Sequence, residues 1–234
     1  EKKLLWTGSD DGLIHVSKDG GKNWENVTPK DAPKFMMWNC VDVDPFKKGA
    51  AYFVGTRYKL DDYTPYIYKT EDYGKTWKLI TNGINKMHFT RAMRADHKRP
   101  GLLYAGTEFG MYVSFDDGAS WKSFQLNMPV VPVTDMTVKE NDLIVATQGR
   151  GFYMIDDLTV IQQSKAETAA KNLHVFDVNP GWRMQMNRFA PAGVGTQLRP
   201  REYSACADAR SVGSGAGPLL KWADTEGSPY AFNA

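Results

Sequence analysis

Three carboxylates could support glycan-cleaving chemistry: Asp61 and Asp62 in the stretch Arg57-Tyr58-Lys59-Leu60-Asp61-Asp62-Tyr63, and Glu108 beside Phe109. A glycoside hydrolase flanks the scissile bond with two carboxyl groups, about 5–5.5 Å apart for retention and about 6.5–9.5 Å for inversion. Asp61 or Asp62 facing Glu108 is the catalytic pair the sequence nominates. Arg57, Tyr58, Tyr63 and Phe109 adjoin it, and Trp38, His88, Arg91, Gln148 and Arg150 complete the candidate ligand contacts. Aromatic rings offer flat apolar faces to sugar C–H groups, while carboxylates and guanidinium groups take hydroxyl hydrogen bonds. Each group also has a plainer role. Residues 57–63 could be a solvated loop closed by its own ion pairs, Trp38 and Phe89 plugs between sheets, and Arg150 an anchor for the last repeat. His88 and His97 lack metal-ligand spacing, and no nucleophile elbow, phosphate loop or dinucleotide fingerprint occurs. No metal and no cofactor are expected.

The elements that must position these groups come from a repeat. The octet Ser/Thr-x-Asp-x-Gly-x-x-Trp occurs three times: as Ser17, Asp19, Gly21, Trp24; as Thr70, Asp72, Gly74, Trp77; and as Ser114, Asp116, Gly118, Trp121. Its intervals, 53 and 44 residues, are those of a four-stranded propeller blade. Each octet follows an apolar run closing on Gly-Ser/Thr, such as Tyr52-Phe53-Val54-Gly55-Thr56. A fourth run, Leu143–Thr147, leads to Asp156, where Met154, Leu158 and Ile161 replace the Ser, Gly and Trp. Alternating β-branched and aromatic residues predict strands throughout, including an outer strand of the fourth unit at 159–162. The first unit has room for three strands only. In each octet the Asp can accept turn N–H groups, the Gly can take positive φ and the Trp can cover a seam. As calcium ligands the three Asp residues are too dispersed, so the octets are expected to be structural.

The octets resemble the Asp-box, or bacterial neuraminidase repeat, of sialidases, two-propeller xyloglucanases and sortilin-type receptors. Val145-Ala146-Thr147-Gln148-Gly149-Arg150-Gly151-Phe152-Tyr153-Met154-Ile155-Asp156-Asp157 is similar to the last-blade signature of secreted bacterial sortilin-like propellers described as glycosyl hydrolases. That group usually has His at the position of Gln148. The resemblance implies an all-β propeller, or a propeller segment of about four blades, from an extracellular or periplasmic protein. It also implies that ligands meet the face opposite the octets, and that the remaining blades of a larger parent are partners. The sialidase Phe/Tyr-Arg-Ile-Pro motif and a Tyr–Glu pair are absent, which argues against sialidase activity. The function expected is a glycan- or protein-binding module, with polysaccharide hydrolysis as the alternative.

Composition narrows the classes further. Lys plus Arg 29 against Asp plus Glu 27, without a basic run, gives no nucleic-acid footprint. No apolar run reaches the roughly 20 residues of a membrane span. Two cysteines, Cys40 and Cys206, make no disulfide framework, and no signal-peptide pattern opens the sequence. Residues 1–163 are expected to form the blades and 164–196 a post-propeller segment. Within it, 173–178 resembles the inner strand of the second unit and could close the first blade. Residues 197–234, rich in Gly, Ala and Ser, are expected to be a disordered or aberrant tail.

Overall fold

The computed structural model describes residues 2–165 and 173–177, together with three short tail strands at 181–183, 199–201 and 223–224. The chain divides into two compact units, 1–157 with 220–230, and 158–219 with 231–234.

The first unit is a series of antiparallel sheets, each a simple meander. Sheet one holds β1 (Leu5–Gly8), β2 (Ile14–Ser17) and β3 (Glu25–Asn26). Sheet two holds β4 (Met37–Val43), β5 (Ala51–Arg57), β6 (Asp62–Thr70) and β7 (Lys78–Leu79). Sheet three holds β8 (Thr90–Ala95), β9 (Leu103–Thr107), β10 (Gly110–Ser114) and β11 (Lys122–Ser123). Sheet four is built on β12 (Val133–Lys139), β13 (Asp142–Thr147) and β14 (Phe152–Ile155). The inner strands β4, β8 and β12 are spatial neighbours, so the sheets follow one another as propeller blades.

The apolar runs are continuous rather than alternating because the middle strands are buried on both faces. In β5, Phe53 packs toward sheet one with Trp38, Tyr66 and Tyr68, whereas Tyr52 and Val54 pack toward sheet three with Ile67, Leu103 and Trp121. All three inner strands carry an irregularity near their start, at Trp38/Cys40, Thr90/Ala92 and Val133/Asp135. A bulge there switches which residues face each neighbour.

The octets close as folding devices. In each, the Ser/Thr hydroxyl accepts from the Gly N–H, at 2.8 Å from Gly21 to Ser17, 2.9 Å from Gly74 to Thr70 and 2.9 Å from Gly118 to Ser114. The Asp carboxylate accepts the N–H four residues on, at 3.0 Å from Asn23, 2.9 Å from Thr76 and 2.9 Å from Ser120. The side chains of Asn23, Thr76 and Ser120 donate to the second carboxylate oxygen, the same geometry in all three octets at a position the motif leaves open.

These bonds favour the ionised carboxylate. Asn23, through backbone and side chain, and Ser17 lower the Asp19 pKa to about 2, and hydrogen bonds from Lys47 and Lys69 lower Glu71 to about 2. Both folded values lie below the unfolded range near 4. The stabilisation is therefore full above about pH 5 and is lost as pH falls from about 4 toward 2. Thermal melts across this range should hold level to about pH 5 and then drop, less steeply in Asp19→Asn. A midpoint independent of pH down to about 2 would show that neither carboxylate is linked to folding.

The fourth unit departs from expectation. The predicted outer strand at 159–162 is instead a helix, α1 (Thr159–Gln163). Intact octets place two successive residues at positive φ: Gly20 and Gly21 at 80° and 93°, Tyr73 and Gly74 at 64° and 82°, Asp117 and Gly118 at 59° and 81°. In the fourth, Asp157 reaches 65° but Leu158, standing where Gly should, turns to −72°. A Cβ disfavours the second left-handed step, and the hairpin does not form.

Of the tail, β15 (Gly181–Arg183) pairs antiparallel with β16 (Arg199–Arg201), and β17 (Ala223–Asp224) pairs antiparallel with β14. The tail thus contains strands, two of them within 197–234, and supplies the fourth strand of sheet four rather than of sheet one. Leu173–Asp177, expected to be an inner strand, lies in no sheet, and residue 178 is outside the described residues. The rest of the post-propeller segment and tail, with Cys206, also falls outside them. Among the described residues no helix is long and apolar enough to cross a membrane.

Candidate functional site

Meander topology gives each sheet two ends. The octets and the β4–β5 and β8–β9 loops share one end. The β5–β6 and β9–β10 loops and the crossings between sheets share the other, and most candidate contacts lie there.

At its centre a two-sheet cluster is assembled from the β5–β6 loop, the crossing into β8 and the two-residue β9–β10 turn. A 3-10 turn, Tyr58–Leu60, ends with Asp61 at φ 57° and returns the chain into β6. Tyr58 stacks on Phe89 at 5.1 Å between centroids with planes 17° apart, and Tyr63 meets the same ring at 6.1 Å. The Arg91 guanidinium lies 5.2 Å from the Phe89 centroid and 5.8 Å from that of Tyr58. Phe89 itself is buried, while Tyr63 stays 39% exposed. On the far side His88 packs on Phe109 at 4.8 Å, and Phe109 is 45% exposed. The Glu108 N–H donates to the Phe89 carbonyl at 3.1 Å, tying turn to crossing.

The charges are closed in pairs. The Arg57 guanidinium donates to Asp62 at 2.8 Å, and the Tyr66 hydroxyl donates to the same oxygen at 2.8 Å. Arg91 donates to Glu108 at 2.5 Å. Burial pushes the Asp62 carboxyl up, but hydrogen bonds from Thr64, Tyr66 and Arg57 outweigh it, so the net shift is downward. Burial lowers the His88 pKa, favouring the neutral ring, whose Nδ1 lies 2.9 Å from the Tyr112 hydroxyl.

The nominated residues therefore divide. Arg57, Tyr58, Asp62, Tyr63, His88, Arg91, Glu108 and Phe109 share this two-sheet cluster, and Asp61 is exposed at its rim. Trp38 does not present its ring: it is 8% exposed and packs edge-on against Phe53 and Tyr68. Gln148 and Arg150 are exposed in the β13–β14 loop of sheet four. There the Gln148 N–H donates to the Pro132 carbonyl at 2.9 Å, and no ion pair of Arg150 occurs among the described residues. Sequence reasoning missed Tyr66 and Tyr112, whose hydroxyls hold Asp62 and His88. Their strand positions resemble core tyrosines, and nothing local marks the outward turn of the hydroxyl.

A cavity of about 330 Å³ lies instead among the octets, lined by residues including Lys69, Glu71, Trp77, Asp116 and Asp117. Buried Lys69 pairs with both Glu71, at 2.6 Å, and Asp117, while the Tyr52 hydroxyl donates to Asp117 at 2.9 Å. These groups join sheets two and three, which accounts for their conjunction without a ligand.

Comparison with known proteins follows the fold. No curated protein matches the sequence. Among solved structures, YCF48 bound to D1 peptide aligns with TM-score 0.51 at 17% identity, over 66% of this chain and 48% of that one. The GH74 enzyme of Niastella koreensis aligns with TM-score 0.51 at 14% identity, over 67% and 27%. The GH74 xyloglucanase of Xanthomonas campestris aligns with TM-score 0.50 at 16% identity, over 67% and 26%. This chain thus spans less than half of each, and at these identities the likeness is one of fold, the β-propeller. The family model for sortilin, neurotensin receptor 3 (Sortilin-Vps10) matches residues 12–150, more than half the chain. Those residues run from the first sheet through the β13–β14 loop, and the chain belongs to the Sortilin-Vps10 family of β-propellers.

Proposed function

We propose that this propeller module binds an uncharged glycan strand across the octet-free face of sheets two and three, as part of an exported protein. The observation that carries this reading is the pair of exposed rings, Tyr63 and Phe109, each backed by a second ring and bordered by a closed guanidinium–carboxylate pair. Such a surface offers stacking area and hydrogen-bonding groups, while its central cations are already neutralised. A strongly acidic ligand would have to displace Asp62 or Glu108 from its partner. The glycan assignment is in keeping with the GH74 likeness, and the YCF48 complex makes a peptide the competing ligand.

Hydrolysis has weaker support. A general acid must hold a proton near neutral pH. The Asp62 carboxyl is shifted the other way, and Glu108 is engaged by Arg91. If catalysis does occur, Glu108→Gln and Asp62→Asn should abolish turnover on a polysaccharide panel, and intact turnover would remove both assignments.

Affinity electrophoresis through gels containing neutral polysaccharides, xyloglucan and mannan among them, tests the binding reading. Retardation by at least one is expected, with Phe109→Ala or Tyr63→Ala weakening it about tenfold, the scale of a lost ring–ligand contact. No retardation by any neutral polysaccharide, or retardation indifferent to both substitutions, would overturn it. Retention on an immobilised peptide library under the same conditions would favour the polypeptide reading.

A further inference from the structure

Among the described residues of the first unit, six large apolar side chains are more than half exposed. Five of them lie at the octet-free end: Phe35, Met87 and Val130 in the crossings, Leu60 in the β5–β6 loop, and Phe152 where β14 leaves the β13–β14 loop. The sixth, Val43, ends β4 on the octet side. Strand register makes three of the five equivalent. The inner strands shift register after Trp38, Thr90 and Val133, and Phe35, Met87 and Val130 each stand three residues before that point. They are 68%, 59% and 69% exposed, the same apolar tip repeated once per crossing.

The tips are held out rather than frayed. Met36 and Val131, the residues directly after Phe35 and Val130, are at most 7% exposed and pin the chain to the sheets. Behind Val130 the Gln125 side chain donates to the Met128 and Pro129 carbonyls at 2.8 Å and 2.6 Å. The Met87 N–H donates to Asn85 Oδ1 at 3.0 Å. Phe35 sits at φ 59°, a left-handed conformation that a bulky L-residue avoids, so its exposed ring is kept at a conformational cost.

Lysines accompany the tips. Lys34, Lys59 and Lys86 directly precede Phe35, Leu60 and Met87 and are exposed, and no ion pair of theirs occurs among the described residues. This pairing disfavours two occupants. Sugars stack on flat rings, and Leu60, Met87 and Val130 offer none. The core of a protein interface is depleted in lysine, and its anchors gather at one centre rather than on separate loops. A lipid surface takes both groups at once: apolar side chains enter the acyl boundary, while lysine stems run beside them and carry their ammonium groups to the phosphates. We infer that the octet-free end is a docking surface for an anionic phospholipid bilayer, entered by Phe35, Met87 and Val130 and steered by Lys34, Lys59 and Lys86. The inference does not rest on the glycan reading, and the substitutions that test it leave Tyr63 and Phe109, the rings of that reading, in place.

Cosedimentation of the whole chain with vesicles tests it, using phosphatidylcholine alone and an equal mixture of phosphatidylcholine and phosphatidylglycerol. Binding to the mixed vesicles is expected, at least about tenfold tighter than to phosphatidylcholine alone. Phe35→Asn with Met87→Gln should weaken it at least about tenfold, through loss of the apolar area that enters the bilayer. Lys34→Gln and Lys86→Gln should each weaken it about fivefold, whereas Lys75→Gln and Lys122→Gln at the octet end should leave it unchanged. All six positions are exposed, so the substitutions leave the core intact. No binding to the mixed vesicles, binding indifferent to Phe35→Asn with Met87→Gln, or an equal loss from the octet-end lysines overturns the inference. A dimer that Phe35→Asn dissolves would make a second copy the occupant. Retention on an immobilised peptide library that Phe35→Asn with Met87→Gln removes would make it a polypeptide, and either result also overturns the lipid assignment.

Discussion

Trp121→Ala should lower the unfolding free energy by about 3–5 kcal/mol, whereas the same change at Trp24 should cost about 1 kcal/mol or less. The residue type and the motif are identical, so the contrast isolates context. Trp121 is 3% exposed, packs in the core between sheets two and three, and caps the Ile80 carbonyl. Its removal leaves a cavity and an orphaned acceptor together. Trp24 is 44% exposed and, among the described residues, its indole N–H bonds within its own turn. Trp77, partly buried over Val27 and against Trp6 and Phe53, should fall between them. Urea denaturation of the three variants, followed by circular dichroism because tryptophan fluorescence is itself altered, gives the ranking. Equal losses at Trp24 and Trp121 would mean that the tryptophans act within their own hairpins rather than across seams.

The octets made the blade architecture legible because they fix local geometry: a hydroxyl, a carboxylate and a glycine at set spacing can satisfy one turn in one way. The first sheet was legible for the same reason, since β1 stands in register where β5 and β9 stand, as the strand that precedes each octet hairpin's first strand. Loss of the fourth hairpin was harder to read. Leu158 replaces one glycine, but the missing left-handed step becomes evident only beside the paired positive φ values of the intact octets.

Site residues were less legible because facing depends on register. The irregularity at Trp38/Cys40 lies where the inner strand changes the side its residues address, and Trp38 turns into the seam rather than toward a ligand. Phe89, just before β8, likewise became the buried support for Tyr58 and Tyr63. The ion pairs were half visible. Arg57 and Asp62 lie in one loop and are joined across the β5–β6 pairing. Arg91 and Glu108 are far apart in sequence and meet only because β8 and β9 pair.

Gly83→Ala should destabilise the protein by about 2–4 kcal/mol, a large effect for one methyl group outside any strand. Gly83 has φ 97°, a region that L-residues avoid, so alanine is strained before any contact is considered. The new Cβ would also lie 2.3 Å from the Trp121 carbonyl oxygen and 3.0 Å from its nitrogen. Both are main-chain atoms, so no rotamer change relieves the contact. The crossing cannot simply lift away, because the Trp121 N–H donates to the Asn82 carbonyl at 2.8 Å and the Asn82 side chain donates to the Ala119 carbonyl at 3.1 Å. Gly83→Ala should consequently cost nearly as much in a Trp121→Phe background, where the indole is gone and the main chain remains. A penalty that vanishes in that background would assign the effect to the ring, and a penalty below about 1 kcal/mol in either background would show that the crossing moves freely over the third octet.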